Sequence, residues 1–439
     1  MRHAYALPAK RALTPVLPVV AVIALLARPI ALGGEGGTTS ADAASGVVVL
    51  CCAVRLLYLR RRDLSPTAAV VLGLPVVGIT VAAVAAGVPD AAVTGLLRHL
   101  QIFVLVPAAV LLLVRDRRDV RLLAWAMVAL AMWQGSIGVH QYATGTGASY
   151  MGRELRAVGT YGPGDIMAMA TVVALGLVCA VGLVLGSAPE RQRVWALACA
   201  LLLVVPLAVS FSRGAWIATA LACTAQLVLA GLRRAVRVSA VVAAVTVILV
   251  GGFGVGSALF QERLSSIGQV AEAPDQSVAD RYALWAAATG MWRERPLTGV
   301  GLKGFPEHRD GHASLALSSG SDTEGAGATY RKQPLLSPHS MYLLVLGEQG
   351  LIGVLTLAGS WLALLVLGLR NLLRARRAQD PGLDCALVAC GLLIWHLINF
   401  AYADIGGPAT ILTAVCLGLS AWWALTRPGP GVPEKAAAR

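Results

Sequence analysis

The chain has 439 residues, 57% of them apolar and 13% charged, with a formal net charge of +13. Soluble domains carry roughly 25% charged residues, so an ordinary soluble enzyme is excluded. Disorder and collagen-like structure are excluded too, because hydrophobicity is high and the 47 Gly and 21 Pro follow no period. The basic excess falls in short clusters between apolar runs, without the aromatic-interleaved stripe that a nucleic-acid partner requires.

At about 20 apolar residues per crossing, the composition has room for about twelve membrane spans. In chain order they fall at 14–32, 41–59, 67–88, 95–114, 120–142, 164–186, 194–211, 215–232, 238–260, 350–369, 383–401 and 408–425. The first follows Arg2, Lys10 and Arg11 but lacks a convincing cleavage site, and is read as an anchor. Alternate connections are basic: Arg60 to Arg62, Arg115 to Arg121, Arg191 and Arg193, Arg233 to Arg237, Arg370 to Arg377, and the tail with Arg427, Lys435 and Arg439. The short connections at 33–42, 89–94 and 402–408 hold no Lys or Arg. The positive-inside rule therefore predicts that both termini are cytoplasmic and that 143–163, the turn at 211–215 and the segment 261–349 are external. The expected fold is all-α and polytopic. Helices one to nine occupy 1–260, an external loop with amphipathic helices 261–349, helices ten to twelve 350–426, and a cytoplasmic tail 427–439. All eight cysteines lie in apolar runs, so neither a disulfide framework nor a Cys-based zinc site is indicated.

Along the external side, Arg98 begins a span beside His99, and His140, Asp165, His396 and Asp404 also lie near external helix ends. Ser212-Arg213-Gly214 breaks the apolar sequence so briefly that it must turn a tight hairpin. Arg213 is then either a snorkelling residue or an anion receptor, since a guanidinium forks bidentately onto phosphate. From Asp280 to Pro296 the residues Leu284, Trp285, Ala288, Met291 and Trp292 share one helical face, which suits a helix at the membrane interface. Gly299-Val-Gly301-Leu-Lys-Gly304 matches G-x-G-x-x-G without the strand and helix context of a dinucleotide site. It is read as a turn, one that can aim backbone N–H groups at an anion. His308 and His312 lack a metalloenzyme pattern, and the stretch 318–328 is low in complexity and expected to be mobile. Ser337-Pro338-His339 reads as a helix start with Ser337 as N-cap. The helix dipole there keeps His339 neutral, as either a surface residue or a proton acceptor. Glu348, nine residues on, falls on the opposite face of one straight helix.

Four external pieces, taken in this order, resemble the O-antigen ligase/polymerase superfamily of bacterial envelope enzymes. They are Arg156-Ala-Val-Gly-Thr-Tyr-Gly-Pro163, then Phe211-Ser-Arg213-Gly-Ala-Trp, then Asp280-Arg281-Tyr-Ala-Leu-Trp285 with Pro296-Leu-Thr-Gly299-Val-Gly301-Leu-Lys-Gly-Phe305, and finally Pro338-His339-Ser-Met-Tyr-Leu with Glu348-Gln-Gly350-Leu-Ile-Gly353. The resemblance implies transfer of a glycan from an undecaprenyl-diphosphate carrier to an acceptor hydroxyl in the bacterial plasma membrane, without cofactor or metal. It implies diphosphate binding by Arg213 and Arg281 and catalysis by His339. Arg156, Arg98, Trp285, Gly299, Gly301 and Glu348 are expected to contact substrate. The implied partners are a lipid-linked oligo- or polysaccharide donor, a glycan, lipid or other envelope acceptor, and the membrane, with no nucleic acid. Ser340 stands where the family usually has Asn.

The chemistry fits these residue types. A diphosphate-lipid is already a good leaving group, and needs cations to hold it, a base for the acceptor proton, and alignment of the two. A repeat-unit polymerase of the same superfamily and a transporter of an envelope lipid or solute are the competing readings. A transporter concentrates charge at the bilayer midplane, whereas here the charges gather at external helix ends.

Overall fold

The computed structural model describes residues 15–29, 39–59, 64–150, 153–162, 165–187, 189–231, 276–314, 317, 321–325, 328–333 and 335–426, with 233, 236, 237 and 240. Apart from residue 240, the ninth predicted span, 238–260, lies outside the described residues, as does the tail 427–439.

The described chain is a helical bundle: α1 (Leu17–Leu25), α2 (Ser40–Leu59), α3 (Pro66–Val84), α4 (Pro89–Leu100) running through a π-helical turn (Gln101–Leu105) into α5 (Val106–Leu113), α6 (Arg117–Thr144), α7 (Ala168–Leu185), α8 (Glu190–Val209), α9 (Arg213–Ala230), α10 (Gln276–Glu294), α11 (Phe305–His312), α12 (Met341–Arg377), α13 (Leu383–Asn399) and α14 (Thr410–Leu425). Among the described residues, eight helical stretches are long and apolar enough to cross a membrane, and α13 and α14 are shorter apolar helices. The chain is thus a multi-pass membrane protein.

Helix α7 is apolar on every side and 83% buried, which puts it at the centre, packed by α6, α8, α9 and α13. Small residues permit the close approach: Gly176 meets Ala131, and Gly182 meets Val388. Gln226 of α9 is fully buried and donates to the Val178 and Leu387 carbonyls at 3.0 and 2.9 Å, tying three helices together.

One end of the bundle is knitted by arginines. Arg117 pairs with Asp380 at 2.7 Å, Arg121 with the buried Asp384 at 2.5 Å, and Arg376 donates to Leu229 O at 3.2 Å. Among the described residues, the basic connections 115–121 and 370–377 and the end of α9 therefore meet at one end of the molecule.

The other end departs from expectation in three ways. First, α12 is not straight. At about 1.5 Å per residue Tyr342 and Trp361 of one helix would lie about 28 Å apart, yet their ring centroids are 6.3 Å apart. The chain folds back at Gly350, whose φ of 63° and ψ of −161° only glycine adopts readily. Second, the Gly-rich turn serves this fold-back. Val300 and Gly301 N–H donate to the Gly347 and Glu348 carbonyls (2.9 and 3.0 Å), ending the first limb. The Pro296 and Leu297 carbonyls accept from Leu351 and Ile352 N–H (2.9 and 3.1 Å), starting the second. The amides of Gly299, Val300, Gly301 and Leu302 all bond to backbone carbonyls, so this turn caps helices and aims none of those four N–H groups at an anion.

Third, the segments expected to be external carry a small antiparallel sheet, β1 (Ala148–Tyr150), β2 (Arg153–Arg156), β3 (Ser321–Gly325) and β4 (Ala328–Gln333), ordered β2-β1-β3-β4. Ser149 pairs with Glu324 and Tyr150 with Thr323. The sheet joins the 143–163 connection to the 261–349 loop, and much of the stretch expected to be mobile is strand. Its polar, Gly-rich composition conceals a β-ribbon because the pairing partner is about 170 residues away in sequence. Within the same loop α10 buries Leu284, Ala287, Ala288 and Met291 against α12 and α11. The amphipathic face read from sequence packs on protein, because the first limb of α12 lies against it.

Two outcomes follow. Gly350→Ala forces a left-handed backbone onto a residue whose Cβ would strike Leu297, and should cost about 1–3 kcal/mol in the backbone alone, read as a lower midpoint of thermal unfolding in detergent. In a cysteine-free background, Glu307→Cys and Ala378→Cys are both exposed. On intact cells or spheroplasts, an impermeant thiol reagent should label the first and spare the second. Labelling of Ala378→Cys alone would invert the orientation.

Candidate active site

Four chain segments converge at the start of α9, the end of α13 and the start of α14, and the connection between α13 and α14 holds them. Met341 N–H, at the start of α12, donates to both Phe400 O and Ala403 O at 2.9 Å. Arg281 of α10 donates from Nη1 to Tyr402 O at 3.2 Å. Arg213 is the first residue of α9, which Ser212 caps by accepting from Ala215 N–H, and a Cβ at Gly214 would stand 3.4 Å from Tyr402 Cβ. The Arg281 guanidinium and the first turn of α9, which carries Arg213, are thereby brought to Tyr402.

His339 does not sit in the first turn of a helix. The helix begins at Met341, and His339 precedes it with φ of 48° in the left-handed region. The cause is docking on both sides: Pro338 O accepts from Trp285 Nε1 at 2.9 Å, and Met341 N–H is held by the 400–403 carbonyls. Between these anchors the chain must turn sharply. Ser340, the departure from the family pattern, is buried and its hydroxyl lies 3.4 Å from Phe400 O, so it reinforces the same docking. Burial lowers the His339 pKa below the ordinary imidazole value. The Asp404 carboxylate opposes this and the Arg281 guanidinium adds to it. One Asp404 oxygen, Oδ2, is enclosed without a hydrogen-bond partner among the described residues.

Trp285 braces the His339 turn through its indole and meets Tyr282 edge to face at 5.8 Å. Arg156 ends β2 next to Ala157, whose N–H donates to Val209 O at 3.1 Å, so it lies beside the hairpin that carries Arg213. Glu348 is buried and accepts from Phe305 N–H at 3.2 Å, locking α11 onto α12. It therefore serves as an anchor between these two helices. Gly299 and Gly301 belong to the capping turn. Arg98 is held by an ion pair with Asp42, whose backbone carbonyl also accepts from Gln101, which places it in the packing of α4 on α2. His99 and His396 are buried in the bundle, with Nδ1 on the carbonyls of Gly95 and Leu392. His140 is exposed on α6. His312 pairs with Glu294 at 2.9 Å, and no cluster of three or more His, Cys, Asp or Glu stands among the described residues.

Asp404 and the carbonyls of residues 400–403 are underweighted by the sequence. The available signal is an Asp followed by Gly406-Gly407 in a short connection between two apolar helices. A backbone carbonyl that accepts from a helix amide leaves no mark on residue identity.

Residues 197–358 match the family model described as O-antigen ligase. The chain is thus similar to the O-antigen ligase superfamily over this region. The matched region contains Arg213, Arg281 and His339, while Arg156 and Asp404 lie outside it. Families of this type are glycosyltransferase-like membrane enzymes that act on lipid-linked glycans. No curated protein matches the chain.

Proposed function

We propose that the protein transfers a glycan from an undecaprenyl-diphosphate-type carrier to an envelope acceptor hydroxyl on the external face of the bacterial plasma membrane. The observation that carries this reading is the shared anchorage of α9, Arg281 and the His339 turn on residues 400–403. In support, two guanidinium-bearing segments lie beside an imidazole whose pKa is lowered by burial.

His339 accepts the acceptor's hydroxyl proton through a ring nitrogen. The acceptor oxygen then bonds to the anomeric carbon as the bond from that carbon to the diphosphate oxygen breaks. The electron pair leaves with the diphosphate, whose growing charge is neutralised by Arg213 and Arg281. Asp404 stabilises the imidazolium formed, and Trp285 holds the turn from which His339 projects. Arg156, beside the Arg213 hairpin, is assigned to donor binding.

Purified protein given an undecaprenyl-diphosphate glycan and two kinds of acceptor, a lipid-anchored glycan and a second carrier-linked glycan, should yield one product mass class, which separates ligase from polymerase. Absence of both products, with donor intact, would remove the enzyme reading and favour transport. Chelator should leave the rate unchanged.

Arg213→Lys and Arg281→Lys keep charge but lose the fork. A charge-assisted contact is worth about 1.5–3 kcal/mol, so each should lower kcat/KM roughly ten- to hundredfold. Wild-type transfer by both folded variants would dismiss the diphosphate clamp.

The rate should rise with pH through the His339 pKa, at a value below about 6.5, since the neutral form is the base. His339→Gln should abolish that acidic limb and cost at least about a hundredfold in rate. An active His339→Gln enzyme with an unchanged profile, beside an inactive Glu348→Gln, would move the base to Glu348.

A further inference from the structure

The stretch of chain that leads into the His339 turn is fastened from α11. Arg309 of that helix donates from Nη1 to Leu335 O at 2.6 Å, and its Nε donates to Asp310 Oδ1 at 2.7 Å, which sets the plane of the guanidinium. Only 17% of the Arg309 side chain is exposed, so the carbonyl contact is shielded rather than a solvated surface one. Helix α11 is itself fixed at both ends. At its start Phe305 N–H donates to the buried Glu348 at 3.2 Å. At its end His312 lies across Gly290 of α10, where a Cβ would stand 2.8 Å from the ring, and its Nε2 pairs with Glu294 at 2.9 Å. Arg309 therefore reaches Leu335 from a helix tied to both α10 and α12.

We propose that Arg309 is a positioning residue for the base, its contact with Leu335 setting the direction in which the chain enters the His339 turn. The inference rests on the reading of His339 as proton acceptor. His339 has φ of 48°, a conformation that a residue other than glycine keeps only where its flanks are held. Downstream, Met341 N–H is held by Phe400 O and Ala403 O. Upstream, Trp285 holds Pro338 O, but one hydrogen bond leaves the peptides before it free to swing. Those peptides include Ser337, whose Oγ lies 3.4 Å from His339 N–H and accepts from it. The Leu335 side chain is buried, yet apolar burial is non-directional and fixes depth more than orientation. A donor on the Leu335 carbonyl fixes the peptide plane. That carbonyl needs one N–H and no fork, which separates Arg309 from Arg213 and Arg281, the arginines assigned to diphosphate. Arg309 acts on the reaction only through the placement of the imidazole.

The test compares Arg309→Ala and Arg309→Lys with wild type in the full-length protein in detergent. Each is treated with diethylpyrocarbonate at one pH, and acylation of His339 is quantified on its own peptide by mass spectrometry, with the exposed His140 as reference. This reads the His339 turn whether or not glycan transfer occurs, so failure of the proposed function and failure of this inference are seen separately. Arg309→Ala should raise the His339 rate by at least about threefold relative to His140, while His99 and His396, buried in the bundle, stay unreactive, which distinguishes a loosened turn from general unfolding. Arg309→Lys still offers one N–H to Leu335 and should restore most of the protection. In transfer assays Arg309→Ala should lower kcat roughly ten- to hundredfold with donor KM within about twofold of wild type, and Arg309→Lys should recover most of kcat. Should Arg309→Ala not fold, Arg309→Met, which keeps the apolar stem and removes every donor, carries the same predictions. Unchanged His339 reactivity in the folded variant would overturn the inference, and a raised donor KM with kcat intact would overturn it by making Arg309 a donor contact.

Discussion

The structure depends first on how the start of α12 is satisfied. A helix has orphan N–H groups at its beginning, and in low-dielectric surroundings each must find an acceptor. Here Met341 N–H takes two, Phe400 O and Ala403 O. Because Tyr402, between them, receives Arg281 and abuts α9, satisfying one helix start also fixes the relative placement of the phosphate-binding candidates and the base. His339 adopts its left-handed conformation because its neighbours are held on both sides.

The fold-back at Gly350 answers the same physical demand a second time. Reversing a chain inside a helical bundle exposes the last carbonyls of one limb and the first amides of the next. Pro296 to Gly301 supplies donors to the former and acceptors to the latter. Gly299 has φ of 66° and Gly301 of 101°, and a Cβ at either would strike the backbone it caps, which is the physical reason for glycine at those positions. The spacing that imitates a dinucleotide loop reports close approach of backbone to backbone.

Charge is divided between the two ends in different ways. At the basic end, Arg117, Arg121 and Arg376 pair with carboxylates or helix carbonyls and tie helices to one another. At the other end, Arg213 and Arg281 gather around one short connection with Asp404. The first arrangement is structural, and the second concentrates opposite charges around an imidazole whose burial favours its neutral state. Glu348 and Arg98 are each engaged by a neighbouring element, Glu348 by Phe305 N–H and Arg98 by Asp42.

Much of this was legible in residue order. Apolar runs and Arg clusters defined a polytopic helical chain and grouped its basic connections, since both are properties of single segments against a bilayer. The spacing of Phe211-Ser-Arg213, Asp280-Arg281 and Pro338-His339 pointed to the superfamily and to three site candidates. Tertiary structure alone decided the rest. The reversal of α12, the sheet between Ser149 and Glu324, and the removal of Glu348, Gly299 and Gly301 to structural duty all depend on pairings between distant backbone groups. Arg281 and Tyr402 lie far apart in sequence, and no local pattern of either carries the other. They meet because the α13–α14 connection lies beside α10, a placement set by packing, which hydrophobic periodicity does not encode.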